Sequence, residues 1–289
     1  MKDRFDVWDE ENILFQQAYA AENYECIDTG VSSKLCYIFF SSNGLYYPDT
    51  EEVFRQQILE KNRYEWKWVA KEGGLYQKAG RLIYVRDLYK QWYSMGINRD
   101  INDIDKLIGF LRDLTQGYDV VTVGSSAGGY MAVLAACLLN AEFCFNFSGQ
   151  YEVSPQKPNQ YCDITELVSE CACTVFYFLP VYNSKDMIQY GKVKHLNNVK
   201  TFCYKEKNHA ATMFAGNMPY IINRSKEEMI SLYEQYRDRK IDKIFFLFHT
   251  VALWPAVKIF VRELKTFGSR KYQRVRETVK GKTWVKRRS

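Results

Sequence analysis

Histidine is scarce in this chain: three occur in 289 residues, His195, His209 and His249. Chemistry that needs an imidazole has only these to draw on. No stretch reaches the roughly twenty apolar residues of a bilayer-spanning helix. The first residues, "MKDRFDVWDEENILFQQ", are acidic and hold no apolar run, so no secretory signal is expected and a reducing, cytoplasmic setting is. The Cys171-Ala172-Cys173 pair has no second Cys or His pair at zinc spacing, so no metal is expected. Internal repeats are absent, and no low-complexity linker precedes the C-terminal segment.

A distributed positive charge is also missing. The net charge is +6, but residues 265–289 carry ten Lys or Arg against one acid, which leaves the rest of the chain at about −3. A near-neutral body with a basic tail argues against a nucleic-acid-binding domain. Eight cysteines are present, and Cys36, Cys144 and Cys203 alternate with Phe, Tyr and Ile as buried strand cysteines do.

What is present is apolar material for a core, 47% of residues, in an alternating pattern. Short apolar runs at 35–40, 81–87, 119–124, 143–149, 173–181 and 198–204 read as strands. Between them, 51–62, 101–117 and 126–139 read as helices, and a last helical region covers about 225–240. Ile101, Ile104, Leu107, Ile108, Leu111 and Leu114 share one helical face, which Gly117 closes. Strand and helix alternating this often predict a doubly wound, mostly parallel sheet with helices on both faces.

Within "VVTVGSSAGGYMAVL", Gly124-Ser125-Ser126-Ala127-Gly128 matches the G-x-S-x-G elbow in a single register. Placing the nucleophile at Ser125 would put Val123 and Ala127 at the glycine positions, so Ser126 is the candidate. The turn needs small residues because strand and helix approach closely there. A helix N-terminus also favours developing negative charge. A glycine-rich crossover turn without chemistry is the plainer alternative.

A serine hydroxyl needs a base. His209 directly follows the strand "NVKTFCY", whereas His195 suits the end of an exposed helix and His249 a buried, satisfied imidazole among apolar neighbours. For the acid, Asp186 follows the strand at 173–181, its alternative role being that of a first-turn helix acid. Asp163 and Glu166 precede that strand and fit less well. The oxyanion hole calls for the Ala127 N–H plus one from Ser42, Asn43 or Gly44 in "FFSSNGLYYP", with Tyr46 and Tyr47 beside the substrate pocket. "SSNG" is equally ordinary turn chemistry.

The elbow at Ser126, with Asp186 and His209 following in order, resembles the α/β-hydrolase superfamily over about residues 30–235. More narrowly, "YIFFSSNGLYYP", "NRYEW", "VRDLYKQWY" and "VGSSAGGYMAVL" are similar to small α/β-hydrolase-like proteins of bacterial surface-polysaccharide loci, some of which are capsule O-acetyltransferases. The resemblance implies Ser126 as an acetylated nucleophile, His209 and Asp186 as its relay, acetyl-CoA as donor and a glycan as acceptor. Only about residues 150–172 are available for a cap, so an open site is expected. Other readings are an esterase or deacetylase of the same fold, or a non-catalytic glycan-binding scaffold.

Residues 1–240 are thus read as the catalytic domain and 241–289 as an apolar helix with a basic tail. Fourteen uncharged residues run from Ile244 to Val257, interrupted by Pro255. They read either as a membrane-surface anchor for an anionic cytoplasmic leaflet or as a last helix packed on the sheet.

Overall fold

The computed structural model describes residues 5–209 and 212–265. Its frame is an eight-stranded sheet: β1 (Tyr24–Asp28), β2 (Leu35–Phe40), β3 (Arg81–Val85), β4 (Asp119–Ser125), β5 (Phe143–Phe147), β6 (Thr174–Pro180), β7 (Val199–Tyr204) and β8 (Lys240–Ile241). The spatial order is β1-β3-β2-β4-β5-β6-β7-β8, with only β1 antiparallel to its neighbour. The helices are α1 (Ile13–Tyr19), α2 (Glu51–Phe54), α3 (Lys67–Glu72), α4 (Ile104–Leu114), α5 (Ala127–Leu138), α6 (Thr165–Glu170), α7 (Ser184–Val193), α8 (Met218–Ile222), α9 (Lys226–Tyr236) and α10 (Lys243–Thr250). Residues 253–265 are helical as well.

Side chains alternate across the pleat, so each strand serves two cores. Cys36, Ile38 and Phe40 of β2 join one apolar layer with α4 and α5, while Tyr37 and Phe39 join the other with α3, α8 and α9. Both faces being covered explains why the strands are apolar runs rather than half-polar alternations. The second layer is unusually aromatic: Phe147, Phe178 and Phe202 stack across adjacent strands at centroid spacings of 4.7 Å each.

The parallel strands direct their following loops to one edge of the sheet, and a third apolar cluster closes part of that edge. Phe5, Phe15 and Tyr19 from the N-terminal region pack there on Leu45, Tyr46, Phe54 and Leu88. Asp87 pins the loop after β3 by accepting the N–H groups of Lys90, Gln91 and Tyr93. Its carboxylate is fully buried, and burial pushes its pKa up to about 6.

Several local expectations are corrected. The stretch 51–62 is not one regular helix: α2 gives way at Arg55–Glu60 to a wider π-helical turn. Cys36 and Cys144 are buried, but Cys203 is only partly so, because β7 has only the two-residue β8 beyond it. His249 is not a buried imidazole. The outer face of α10 exposes it, and its Nδ1 lies 2.5 Å from the Tyr236 hydroxyl. The boundary drawn at 240 runs through β8, and Phe246 of α10 is buried against Tyr204, Phe202 and Tyr236. The basic tail beyond 265 lies outside the described residues.

Candidate active site

β4 ends at Ser125 and α5 begins at Ala127, leaving Ser126 as the whole connection. Its backbone sits at φ 53°, ψ −120°, a sparsely populated region that costs roughly 1–3 kcal/mol and must be held by its surroundings. Two contacts hold it. The Ser126 N–H donates to the Phe147 carbonyl at 2.9 Å, and the flanking glycines let strand and helix close up. A Cβ on Gly124 would lie 2.0 Å from the Gly128 carbonyl oxygen, and one on Gly128 would lie 2.3 Å from that of Phe40. The small residues expected from the motif are therefore a steric requirement.

His209 follows β7, and its Nε2 lies 2.8 Å from Ser126 Oγ. Its Nδ1 lies 2.9 and 3.0 Å from the two carboxylate oxygens of Asp186. An ionised carboxylate only accepts, so Nδ1 carries the proton and donates to Asp186. Nε2 is then the free acceptor facing the Ser126 hydroxyl. Asp186 is itself fixed from below. Asn183 caps α7 by accepting the N–H groups of Lys185 and Asp186, which places Asp186 in the first turn with 2% of its surface exposed. The two roles weighed for Asp186 coincide: it is a first-turn helix acid and the partner of His209. The helix's positive end favours its charge.

His195 is exposed just beyond the end of α7, and Asp163 is engaged with Thr165 and Lys192, so neither reaches Ser126. Glu166 lies in the first turn of α6, which precedes β6 in the chain.

The loop after β2 separates the three candidates for the second N–H donor. The Ser42 N–H donates to Glu65 Oε2 at 2.6 Å, and the Gly44 N–H donates to Ser42 Oγ at 3.0 Å. Both are spent. Among the described residues, the N–H groups of Asn43 and Ala127 have no acceptor, and Ala127 opens α5 beside the serine. Glu65 was not foreseen. It also accepts the Ser42 hydroxyl at 3.2 Å, and burial holds its carboxyl above the usual carboxylate range. Its signal in the sequence is a lone acid in "NRYEW", which carries no motif.

A cleft of about 530 Å³ adjoins Asn43, walled by Trp8, Tyr46, Tyr47 and Tyr89 and edged by Lys90, Gln91 and Gln156. Tyr46 is a buried wall whose hydroxyl donates to the Leu88 carbonyl, whereas Tyr47 stands open to solvent. Among the described residues, no group of three or more His, Cys, Asp or Glu is placed to hold a metal ion.

A serine elbow after a central parallel strand, an acid after β6 and a histidine after β7 is a specific ordering on a specific sheet. The chain has the α/β-hydrolase fold. No family model matches it, and no curated protein does. Solved structures similar to this α/β-hydrolase-fold chain include a 2,6-dihydroxy-pseudo-oxynicotine hydrolase, at 12% identity and TM-score 0.42, covering 72% of this chain and 62% of that one. MenH from S. aureus is similar at 10% identity and TM-score 0.43, covering 74% of this chain and 98% of that one. The capsule O-acetyltransferase of Neisseria meningitidis serogroup A is similar at 10% identity and TM-score 0.44, covering 74% and 92%. The chain spans about three fifths of the first of these and nearly all of the other two.

Proposed function

We propose that the protein is a serine-dependent acyl-transfer enzyme that moves an acetyl group from acetyl-CoA to a hydroxyl of a bacterial surface glycan. The observation that carries this reading is the 2.8 Å approach of His209 Nε2 to Ser126 Oγ, with Asp186 behind it. Ser126 Oγ attacks the thioester carbonyl as His209 Nε2 takes its proton. The oxyanion that forms accepts the Ala127 and Asn43 N–H groups. Collapse breaks the carbon–sulfur bond, and His209 returns the proton to the departing thiolate, leaving acyl-Ser126. A sugar hydroxyl then gives its proton to His209 and attacks the acyl carbon; the bond from that carbon to Ser126 Oγ breaks, and His209 returns the proton to Oγ, which regenerates Ser126. Asp186 keeps the imidazole in its tautomer and stabilises the imidazolium without itself taking the proton.

The cleft beside Asn43 supports a carbohydrate acceptor, because the aromatic rings of Trp8 and the exposed Tyr47 suit sugar rings while Gln91 and Gln156 offer amide hydrogen bonds. Ester hydrolysis is the second reading, favoured by a His209 side chain that is 38% exposed and so within reach of water. Incubation with labelled acetyl-CoA, with and without surface polysaccharide, separates them. Label passing to the glycan only when Ser126 is intact supports transfer. Fast turnover of simple esters with no label on any glycan overturns it.

A further inference from the structure

The C-terminal helices carry more apolar surface than the fold uses. α10 buries Phe246 and Leu247 against the domain, yet its opposite face presents Ile244, Phe245 and Phe248 to solvent, with Phe245 64% exposed. The first residues of the next helix, Leu253 and Trp254, add to it at 69% and 75% exposure. Residues 253–265 then bury Ala256 and Ile259 on one side, while Val261 and Leu264 continue the outer apolar stripe. At 3.6 residues per turn, Trp254, Val261 and Leu264 fall on one face, with Lys258 at its margin. Single exposed apolar residues are ordinary, but a contiguous set of this kind marks a contact surface.

We propose that this surface docks the protein on an anionic lipid bilayer, lying flat in the headgroup region. Charge selects the partner. The sequence directly following the patch, residues 266–289, carries nine Lys or Arg against one acid, while the rest of the chain is near neutral or acidic. A polyanion such as nucleic acid would satisfy those cations but leave Phe245, Leu253 and Trp254 in water. An anionic membrane surface satisfies both, since the side chains enter the acyl boundary while the cations meet lipid headgroups. Geometry sets the mode. No described helix is long and apolar enough to cross a membrane, so the contact is parallel to the surface. The surface is distinct from the serine site and does not depend on its chemistry.

The test is flotation of the full chain with vesicles of phosphatidylcholine alone and of phosphatidylcholine with phosphatidylglycerol. Association with the anionic vesicles at least about tenfold above the neutral ones, weakened by added salt, is expected. The double variant Leu253→Ser/Trp254→Ser lowers that association by about tenfold or more, with an unchanged far-ultraviolet circular dichroism spectrum. Trp254→Phe keeps the binding but loses most of the fluorescence quenching by brominated lipid. Folded protein that floats with neither vesicle overturns the proposal, as does a double variant that binds like the parent. A parent dimer that Trp254→Ser converts to monomer, with no vesicle binding, assigns the patch to a second copy instead.

Discussion

Glu65 accepts the backbone N–H of Ser42 at 2.6 Å and the Ser42 hydroxyl at 3.2 Å, binding the loop after β2 to the segment before α3. Ser42 Oγ in turn accepts the Gly44 N–H, so of these three residues only Asn43 has an N–H without an acceptor among the described residues. In the proposed mechanism Glu65 acts through the loop, as a positioning residue. Glu65→Ala is expected to lower kcat by roughly 10- to 100-fold with little change in KM, because a hydrogen bond made in the transition state is disturbed. Glu65→Gln keeps one oxygen acceptor and recovers part of the loss. Steady-state kinetics with a simple ester check this, and equal KM and kcat effects in both variants would count against it.

Asp186 is expected to matter for orientation more than for folding. Asp186→Asn leaves the side chain nearly isosteric but offers His209 an N–H in place of an oxygen, which disfavours the productive tautomer. The expected fall in kcat is about 10⁴-fold. The accompanying loss of stability should be only about 0.3–1 kcal/mol, the worth of a charge at a helix N-terminus. Ester turnover and urea denaturation on the same preparation separate the two quantities.

Asp87 gives a pH dependence of stability whose sign is fixed by burial. Its pKa in the folded protein is raised from an ordinary 3.8 to about 6. Folding therefore favours its protonated form, so the associated stability is complete below pH 3.8 and is lost as pH rises through about 6. The change amounts to roughly 3 kcal/mol. Relative to Asp87→Asn, which does not titrate, the parent should lose stability between pH 4 and 7 by about that amount. Denaturation midpoints of both proteins across that interval measure it, and parallel curves would contradict the assignment.

Much of the frame was legible because it follows from periodicity. The runs at 35–40 and 119–124 are buried on both faces, so they appear as mainly apolar segments, and together with the half-buried run at 198–204 they match β2, β4 and β7 within a residue. β1 escaped because an antiparallel edge strand needs less burial, and its five residues, Tyr24–Asp28, are nowhere fully buried. β8 is two residues long and pairs only because β7 is there. The Ser126 turn was readable because steric contacts at Gly124 and Gly128 demand glycine, a constraint the sequence displays directly. Glu65 was not readable, since its partner is a backbone N–H 23 residues away and backbone groups leave no trace in residue identity. The choice of Asn43 over Ser42 and Gly44 likewise depended on which N–H groups were already engaged.

The central claim is that Ser126 is an activated nucleophile served by His209. Labelling the folded protein with a fluorophosphonate probe and mapping the adduct by peptide mass spectrometry tests it most directly. The account predicts one adduct, on Ser126, abolished by Ser126→Ala and slowed by at least about 10³-fold in His209→Ala. A folded protein that does not react, or that reacts equally well without His209, would contradict it.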